Sequence, residues 1–431
     1  MSPPDSPFVS PIVRRAISVA KFFGFWIVFA SLTAVVVGVV VAAFLWALDW
    51  CTQRRWDHPW LLYLLPAAGL LIGWAYERFG RSVVRGNNLV IDEIHKPGGG
   101  IPLVMVPLVV AGTLVTHLFG GSAGREGTAV QVGGAIASEA CRRLRLSHDH
   151  IRLLLMTGVA AGFGAVFGTP VTGTIFAIEV LTIGRISYEA IVPCLIGAIV
   201  ADRTVAIVGI SHTQYAIASL GGGSAGQHVQ LLLCLKSAVA GIAFGLAAML
   251  FARLTHGIGA FCKRVIPRAE LRPVVGGVVV ILLVWLLGTR DYLGLGVTNP
   301  AGGVSIVSSF APNGAGDFSW LLKLIFTAIT IGSGFKGGEV TPLFFIGAAL
   351  GNALSRLLGV PADLMAGLGF VAVFAGATNT PLACTLMAVE LFGHGNGSAL
   401  AAYAAIACLF AYAVSGTRGI YHSQRWETPK L

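Results

Sequence analysis

Charged residues are scarce in this sequence. Asp, Glu, Lys and Arg account for 11% of its 431 residues, hydrophobic residues account for 55%, and the mean hydropathy is +0.81. A soluble domain uses about a quarter charged residues to cover its surface with groups that water solvates. The composition therefore excludes an ordinary soluble enzyme or binding module, and it predicts a protein that lies largely within a lipid bilayer.

Metal-binding and disulfide patterns are also missing. The seven cysteines are scattered, no two have the CxxC spacing, and no HExxH sequence occurs. Zinc sites, disulfide frameworks and metal hydrolases depend on such spacings. We therefore expect no metal, no cofactor and no enzymatic activity.

Long apolar stretches are the main feature of the sequence. One runs from Phe22 to Leu48 without an acid or a base, and others lie at 61–75, 101–118, 153–183 and 231–251. Because a spanning helix needs about 20 apolar residues, we expect about ten to fourteen membrane segments, several of them short or interrupted by Gly or Pro.

The basic residues indicate how the chain crosses the membrane. The formal net charge is +10, and basic residues cluster at segment ends, at 14–21, 78–85, 142–145 and 418–425, although Arg54 and Arg55 fall outside this pattern. Positive residues accumulate on the cytoplasmic side of membrane proteins. We expect a multi-pass protein of the cell inner (plasma) membrane with cytoplasmic termini, in contact with lipid and not with nucleic acid.

An internal repeat divides the chain. AAGFGAVFGTPVTGTIFAIEV resembles VAVFAGATNTPLACTLMAVEL, and the two landmarks that they share, Pro170 with Pro381 and Glu179 with Glu390, are both 211 positions apart. Two halves with broken hydrophobic helices are typical of a transporter with its site at the repeat interface. The shared position of the two glutamates favours a structural role at helix ends over a direct part in transport.

The repeat also suggests the domain organisation. A weaker similarity relates GREGTAVQVGGAI, from Gly124, to GGEVTPLFFIGAA, from Gly337. We expect a single transmembrane transport domain over 1–431, with halves at roughly 22–210 and 229–421. Only ten residues follow Tyr421, so we expect no soluble regulatory domain.

Glu126 is the acidic residue whose position is most informative. It follows Gly-Ser-Ala-Gly-Arg, and residues 128–136 read as an apolar helix, so Glu126 is expected at a helix N-terminus within the membrane. Free N–H groups and the helix dipole attract anions there, and acids within membranes are rarely idle. Such a carboxylate can occupy an anion site and vacate it when protonated. The simpler alternative is a glutamate that only stabilises its helix.

These motifs resemble those of the CLC family of chloride channels and proton-coupled antiporters. GREGTAVQVGG is similar to the family's GREGP motif, GSGFKGGEVTPLFFIGAALG to its third motif, and GIYHSQ to its last tyrosine segment. The similarity runs in order over nearly the whole chain. It implies an all-α polytopic membrane fold with two inverted repeats and broken helices, and a homodimer with one pore per subunit.

The resemblance also implies roles for individual residues. Glu126 corresponds to the gating glutamate of the family. The anion would be held at helix N-termini formed by Gly124, Arg125, Gly127 and Val340.

The first motif departs from the usual GSGIP, whose serine hydroxyl contacts the anion. GNNLV places Asn87 at the serine position, 39 residues before Glu126, whereas GGGIP places Gly99 there, 27 residues before Glu126. The longer interval suits the family better, so Asn87 is favoured, with Gly99 as the alternative.

Further departures narrow the resemblance to one branch. Thr128 replaces the usual Pro of the second motif, Glu339 and Val340 stand where the third motif usually has no acid and a Phe, and Val180 occupies the position of the internal proton glutamate. Together with Asn87, these residues resemble the fluoride/proton antiporter branch. That branch carries Asn or Met in the first motif, GREGT in the second and an acid in the third, and it lacks the internal glutamate.

Fluoride export in exchange for protons is therefore the function that we expect. Fluoride is small and strongly hydrated, so a site must replace its water with hydrogen-bond donors. The Asn87 amide, the Thr341 and Tyr421 hydroxyls and the helix N-termini are the expected donors, and Glu126 and Glu339 are the expected proton carriers. A chloride/proton antiporter or a passive chloride channel of the same fold is the alternative. Glu339 could also simply cap the helix that opens at Thr341.

Overall fold

The computed structural model describes residues 11–220, 229–393 and 397–427, which are mostly helical. Its α-helices, in chain order, are α1 Pro11–Asp57, α2 Leu65–Phe79, α3 Asn87–His95, α4 Met105–Leu118, α5 Glu126–Leu144, α6 His148–Phe167, α7 Pro170–Glu179, α8 Ile191–Ile207, α9 Leu231–Val265, α10 Arg272–Leu287, α11 Ser319–Gly332, α12 Val340–Leu358, α13 Ala362–Thr378, α14 Pro381–Phe392 and α15 Gly397–Val414. Short 3₁₀ helices lie at Pro59–Leu64, Tyr188–Ala190, Ala269–Leu271 and Ser308–Phe310. Two short strands, β1 (Thr182–Ile183) and β2 (Arg425–Trp426), pair in parallel.

Many of these helices suit a membrane. Within the described ranges, seven helical segments are long and apolar enough to span a bilayer, and five further apolar helices are shorter. Helix α1 has 47 residues. At 1.5 Å per residue it is about 70 Å long, well over the roughly 30 Å of hydrocarbon that the apolar run Phe22–Leu48 would cross. Large side chains such as Leu32, Trp46 and Leu286 are exposed on the outer helices, whereas α6 and α12 are mostly buried.

Equivalent Thr-Pro steps break the chain in both halves. Helix α6 is capped by Gly168 at φ 71° and α7 begins at Pro170, while α13 is capped by Asn379 at φ 59° and α14 begins at Pro381. A left-handed residue ends a helix, and proline fits the first helical position because it needs no N–H partner there. The apolar stretch 153–183 is therefore two helices and not one continuous segment.

Glycine pairs let the central helices cross with their backbones in contact. A Cβ on Gly133 of α5 would overlap the carbonyl oxygen of Gly158 of α6, and the reverse also holds. Gly347 of α12 and Gly369 of α13 repeat this crossing in the second half. Such close approach is available only to glycine, and it is a common way of packing membrane helices.

The two glutamates that the repeats share, Glu179 and Glu390, join the halves. The Glu390 carboxylate accepts hydrogen bonds from the N–H groups of Val171 (2.9 Å) and Thr172 (2.7 Å) at the start of α7. Glu179 in turn accepts hydrogen bonds from the N–H groups of residues 382 and 383 (3.0 and 2.8 Å) at the start of α14. Each acid lies in the last turn of its own helix and caps the start of the other helix, so α7 and α14 run antiparallel and the repeats are inverted. These contacts agree with the structural role expected for both acids.

Candidate functional site

The starts of α5 and α12 lie side by side because the glycines that precede them pair. The N–H of Gly124 donates to the carbonyl of Gly338 (2.6 Å), and the N–H of Gly338 donates to the carbonyl of Gly124 (2.7 Å). A Cβ on Gly124 would lie 2.7 Å from the Glu126 carboxylate and 3.0 Å from the Gly338 carbonyl oxygen, so a side chain here would disrupt both contacts. The glycine bridge brings helix N-termini from the two repeats to one point.

The Glu126 carboxylate occupies this point, and only 1% of the residue is exposed. Its Oε2 accepts hydrogen bonds from the N–H groups of Arg125 (3.0 Å) and Thr341 (3.1 Å), and its Oε1 accepts one from the Thr341 hydroxyl. The N–H donors lie at the starts of α5 and α12, where helix dipoles also favour negative charge. The carboxylate therefore stands where these N-termini would hold a small anion.

A small cavity adjoins Glu126, and we name it the Glu126 cavity. It has a volume of about 20 Å³, and its lining includes Arg125, His212, Tyr215 and Phe344. The Arg125 Nε atom lies 3.7 Å from Glu126 Oε1, and 22% of the arginine side chain is exposed. The guanidinium charge thus acts on the carboxylate and on the cavity together.

A second, larger cavity lies beside Glu339, and we name it the Glu339 cavity. It has a volume of about 190 Å³ and is lined by residues that include Asn87, Lys336, Glu339 and Tyr421. Exposed residues at 84–85 also line it, so it reaches the surface beside the arginine cluster at 78–85. Glu339 directly precedes α12 but forms no capping hydrogen bond with that helix. The structure therefore shows no side-chain cap at Glu339, which lines this cavity.

Asn87 is the first residue of α3 and lies close to the start of α5. Its Nδ2 atom is 3.0 Å from the position that a Cβ on Gly127 would take, and Glu339 Oε2 is 3.9 Å from the same position. The missing side chain of Gly127 lets both polar groups approach the helix start. Gly99 instead lines a separate groove of about 700 Å³ together with Arg142, Arg143 and Arg145. The structure brings Asn87, and not Gly99, to the site.

Tyr421 follows α15 on a segment that is fixed to the rest of the protein. The N–H of Ser423 donates to Oδ1 of Asn88 (3.0 Å), next to Asn87. Tyr421 is 7% exposed and lines the Glu339 cavity, and together with Asn87 and Val180 it also lines a small, mostly apolar pocket. Val180 stands at the position of the internal proton glutamate of the chloride antiporters. It therefore gives this pocket an apolar wall in place of an acid.

The remaining departures from the family motifs have structural counterparts. The Thr128 hydroxyl lies 2.7 Å from the hydroxyl of Thr113 on α4, in a buried pair that a proline could not form. Val340 begins α12 and is 2% exposed, directly before the Thr341 donors. Neither residue contributes a side-chain donor to the Glu126 carboxylate.

Lys336 is the residue that sequence reasoning missed. Its ammonium lies 4.0 Å from the centroid of the Tyr76 ring, and both residues line the Glu339 cavity. The available signal was a lone lysine inside the glycine-rich run GSGFKGGEVTP. A cation is costly within an apolar region, so it warrants a functional explanation.

The arrangement can exchange a carboxylate for an anion. Donors from two helix starts converge on Glu126, one cavity adjoins that residue, and a second cavity carries another carboxylate at Glu339. Protonation would neutralise Glu126 and weaken its hold on these donors, which a small anion could then occupy.

Comparisons with known proteins agree with this fold. A family model described as voltage gated chloride channel matches residues 68–416. A chloride/fluoride channel protein from Pseudomonas syringae pv. tomato is 50% identical over 400 residues, which are 93% of this chain and 86% of that protein. The crystal structure of a CLC-type fluoride/proton antiporter has a TM-score of 0.86 at 35% identity, covering 95% of this chain and 98% of that one. A slow cyanobacterial Cl⁻/H⁺ antiporter has a TM-score of 0.76 at 19% identity, with coverage of 90% and 94%, and supports the fold alone. The chain therefore belongs to the CLC family of voltage-gated chloride channels, whose members are multi-pass membrane transporters or channels.

Proposed function

We propose that this protein exports cytoplasmic fluoride in exchange for protons that enter the cell. The observation that carries the proposal is the Glu126 carboxylate, bound by donors from both repeats beside one cavity, with a second carboxylate, Glu339, lining the other. A carboxylate that competes with an anion for one set of donors links its own protonation to anion entry. Glu126 is then the gating glutamate, and Glu339 carries the proton on the side of the Glu339 cavity.

Three features support fluoride as the anion. Fluoride loses more hydration than chloride on entering a protein, so it needs strong donors, and Asn87, Thr341 and Tyr421 supply an amide and two hydroxyls around the site. The third motif carries Glu339, and Val180 replaces the internal acid of the chloride antiporters. The names of two relatives, a chloride/fluoride channel protein and a fluoride/proton antiporter, point in the same direction.

Fluoride chemistry also gives the cell a reason for such a transporter. Neutral HF crosses membranes and dissociates at cytoplasmic pH, so fluoride accumulates inside the cell. An inward proton gradient can drive its removal if one carboxylate alternately holds a proton and yields to the anion. A passive pore would not be driven in this way by the proton gradient.

The assembly and orientation belong to the same proposal. We propose a homodimer with one pore per subunit in the inner (plasma) membrane, with cytoplasmic termini and the Glu339 cavity opening to the cytoplasm. The arginine cluster at 78–85 beside that cavity supports this orientation, because positive residues concentrate on the cytoplasmic face. Crosslinking in membranes and protease access to tags at each terminus would test both statements.

Purified protein in liposomes tests the transport function directly. Liposomes loaded with fluoride or with chloride are diluted into buffer without that ion, and ion-selective and pH electrodes record both fluxes. We expect fast fluoride efflux with matching proton uptake, and much slower chloride efflux. Chloride efflux as fast as that of fluoride would instead favour a chloride transporter, and fluoride efflux without proton movement would favour a channel.

A further inference from the structure

Lys336 lies between α11 and α12, in the loop that leads to Glu339. The side chain crosses α4 at Gly112, where a Cβ would lie 3.0 Å from Lys336 Cβ, and its ammonium is 4.0 Å from the centroid of the Tyr76 ring. Close packing on one side and an aromatic face on the other fix the position of the charge. A cation over an aromatic ring is attracted by the negative face of that ring.

Lys336 lines the Glu339 cavity. Asn87, Glu339 and Tyr421 line the same cavity, while Arg85, at its opening, is engaged by Asp92. Among the described residues, no carboxylate forms an ion pair with Lys336 within 4.0 Å. The Tyr76 ring is thus the aromatic partner of the ammonium, and Glu339 lines the same cavity without pairing directly with it.

The electrostatics of such a cavity favour an anion. Low-dielectric walls focus the field of a fixed charge and raise the local concentration of ions of opposite sign. A carboxylate at Glu339 would repel fluoride from the same cavity, and a nearby fixed cation offsets that repulsion. A lysine ammonium is a compact, strongly hydrated charge, which suits a small anion better than a delocalised guanidinium does.

We propose that Lys336, held by the Tyr76 ring, determines how strongly the Glu339 cavity takes up fluoride before the ion reaches Asn87 and Glu126. This proposal rests on the proposed fluoride/proton exchange. The role of Lys336 is distinct from proton coupling, because it concerns the first binding of fluoride in the Glu339 cavity and not the exchange of fluoride for a proton. Removing the charge therefore weakens capture, while the proton-to-fluoride ratio stays the same.

The test compares Lys336→Met and Lys336→Arg with the wild type in proteoliposomes, using initial fluoride flux against fluoride concentration. For Lys336→Met we expect the KM for fluoride to rise about tenfold, which corresponds to roughly 1.4 kcal/mol, with the maximal rate and the proton-to-fluoride ratio retained. Lys336→Arg restores part of the affinity because the charge returns. An unchanged KM in Lys336→Met, or a loss confined to the maximal rate, would overturn the proposal.

Variants of Tyr76 keep the test decisive if Lys336→Met folds poorly. Tyr76→Leu keeps the charge but removes the ring that positions it, so we expect the KM to rise, whereas Tyr76→Phe keeps the ring face and should match the wild type. Equal KM values in both variants would contradict the inference. Absence of any fluoride flux in the wild type would refute the proposed function itself, whereas normal wild-type exchange with an unchanged KM in Lys336→Met refutes only the role of Lys336.

Discussion

Glu126 and Thr341 are 215 residues apart in the sequence, yet Thr341 donates both its N–H and its hydroxyl to the Glu126 carboxylate. One repeat supplies the acid and the other supplies donors. The glycine bridge between residues 124 and 338 fixes the two helix starts against each other, so a shift of either start changes the hold on the carboxylate.

Thr341→Val removes the hydroxyl donor and leaves the backbone donor in place. A hydrogen bond to a charged group contributes about 1.5–3 kcal/mol, so the equilibrium constant for the carboxylate occupying the site should fall by about tenfold or more. We expect a lower proton-to-fluoride ratio, measured with simultaneous fluoride and pH electrodes. Thr341→Ser keeps the hydroxyl and should behave as the wild type. A wild-type ratio in the valine variant would show that the hydroxyl does not hold the gate.

Glu126→Gln tests the gating role itself. The amide cannot release a proton, so we expect fluoride-driven proton uptake to disappear while the melting temperature in detergent stays close to that of the wild type. Glu77→Gln is the matched control, since Glu77 pairs with Arg81 at a half-exposed position outside the site. Proton-coupled fluoride flux that persists unchanged in Glu126→Gln would refute the assignment.

Asn87→Ser shortens the donor that approaches the start of α5 and restores the residue usual in chloride-selective relatives. Because the shorter hydroxyl reaches the anion less closely, the preference for fluoride over chloride should fall by about tenfold, comparable to weakening one hydrogen bond to an ion. The ratio of fluoride to chloride efflux rates from matched liposomes gives this quantity. Gln53→Ser is the control, because Gln53 pairs with Asp49 at an exposed position of α1 outside the site. An equal effect of the two variants would point to a role in folding and not in selectivity.

Gly133→Ala tests the crossing of α5 and α6. The added Cβ would overlap the carbonyl oxygen of Gly158, and overpacking of this kind costs about 1–3 kcal/mol. We expect a clear fall in the melting temperature of the purified protein. Gly24→Ala on α1 is the control, since a Cβ there has no neighbouring atom within 4 Å. Equal melting temperatures for the two variants would mean that α5 and α6 can move apart at Gly133 with little loss of stability.

Glu390→Ala should weaken the start of α7 without changing ion coupling. The carboxylate caps two backbone N–H groups, and loss of an N-terminal cap costs about 1–2 kcal/mol. We expect a lower melting temperature and an unchanged proton-to-fluoride ratio, with Glu77→Ala as a half-exposed control. A changed ratio at constant melting temperature would instead assign Glu390 a part in transport.

The sequence predicts the helix starts of the site well. Glu126 begins α5, and the two Thr-Pro steps begin α7 and α14, because glycine and proline act on the local backbone. Membership of the CLC family, read from the motifs, is confirmed by the family model that matches residues 68–416.

Contacts between distant segments are less accessible to sequence reasoning. The length of α1 exceeds its apolar run, since a helix can continue beyond the bilayer through polar residues. The contact between the Lys336 ammonium and the Tyr76 ring joins residues 260 positions apart, and no local sequence pattern specifies it. Glu339 was expected either to carry protons or to cap its helix, and only the three-dimensional structure shows that its side chain forms no capping hydrogen bond.

The reciprocal caps of Glu179 and Glu390 bear on the ancestry of the chain. The glutamate of each half caps a helix start in the other half. Glu390 caps the start of α7, and Glu179 caps the start of α14. Two antiparallel copies of one half-length polypeptide would form both caps at once. The present chain thus has the arrangement that the fusion of two such copies would produce, with each half completing a helix start of the other.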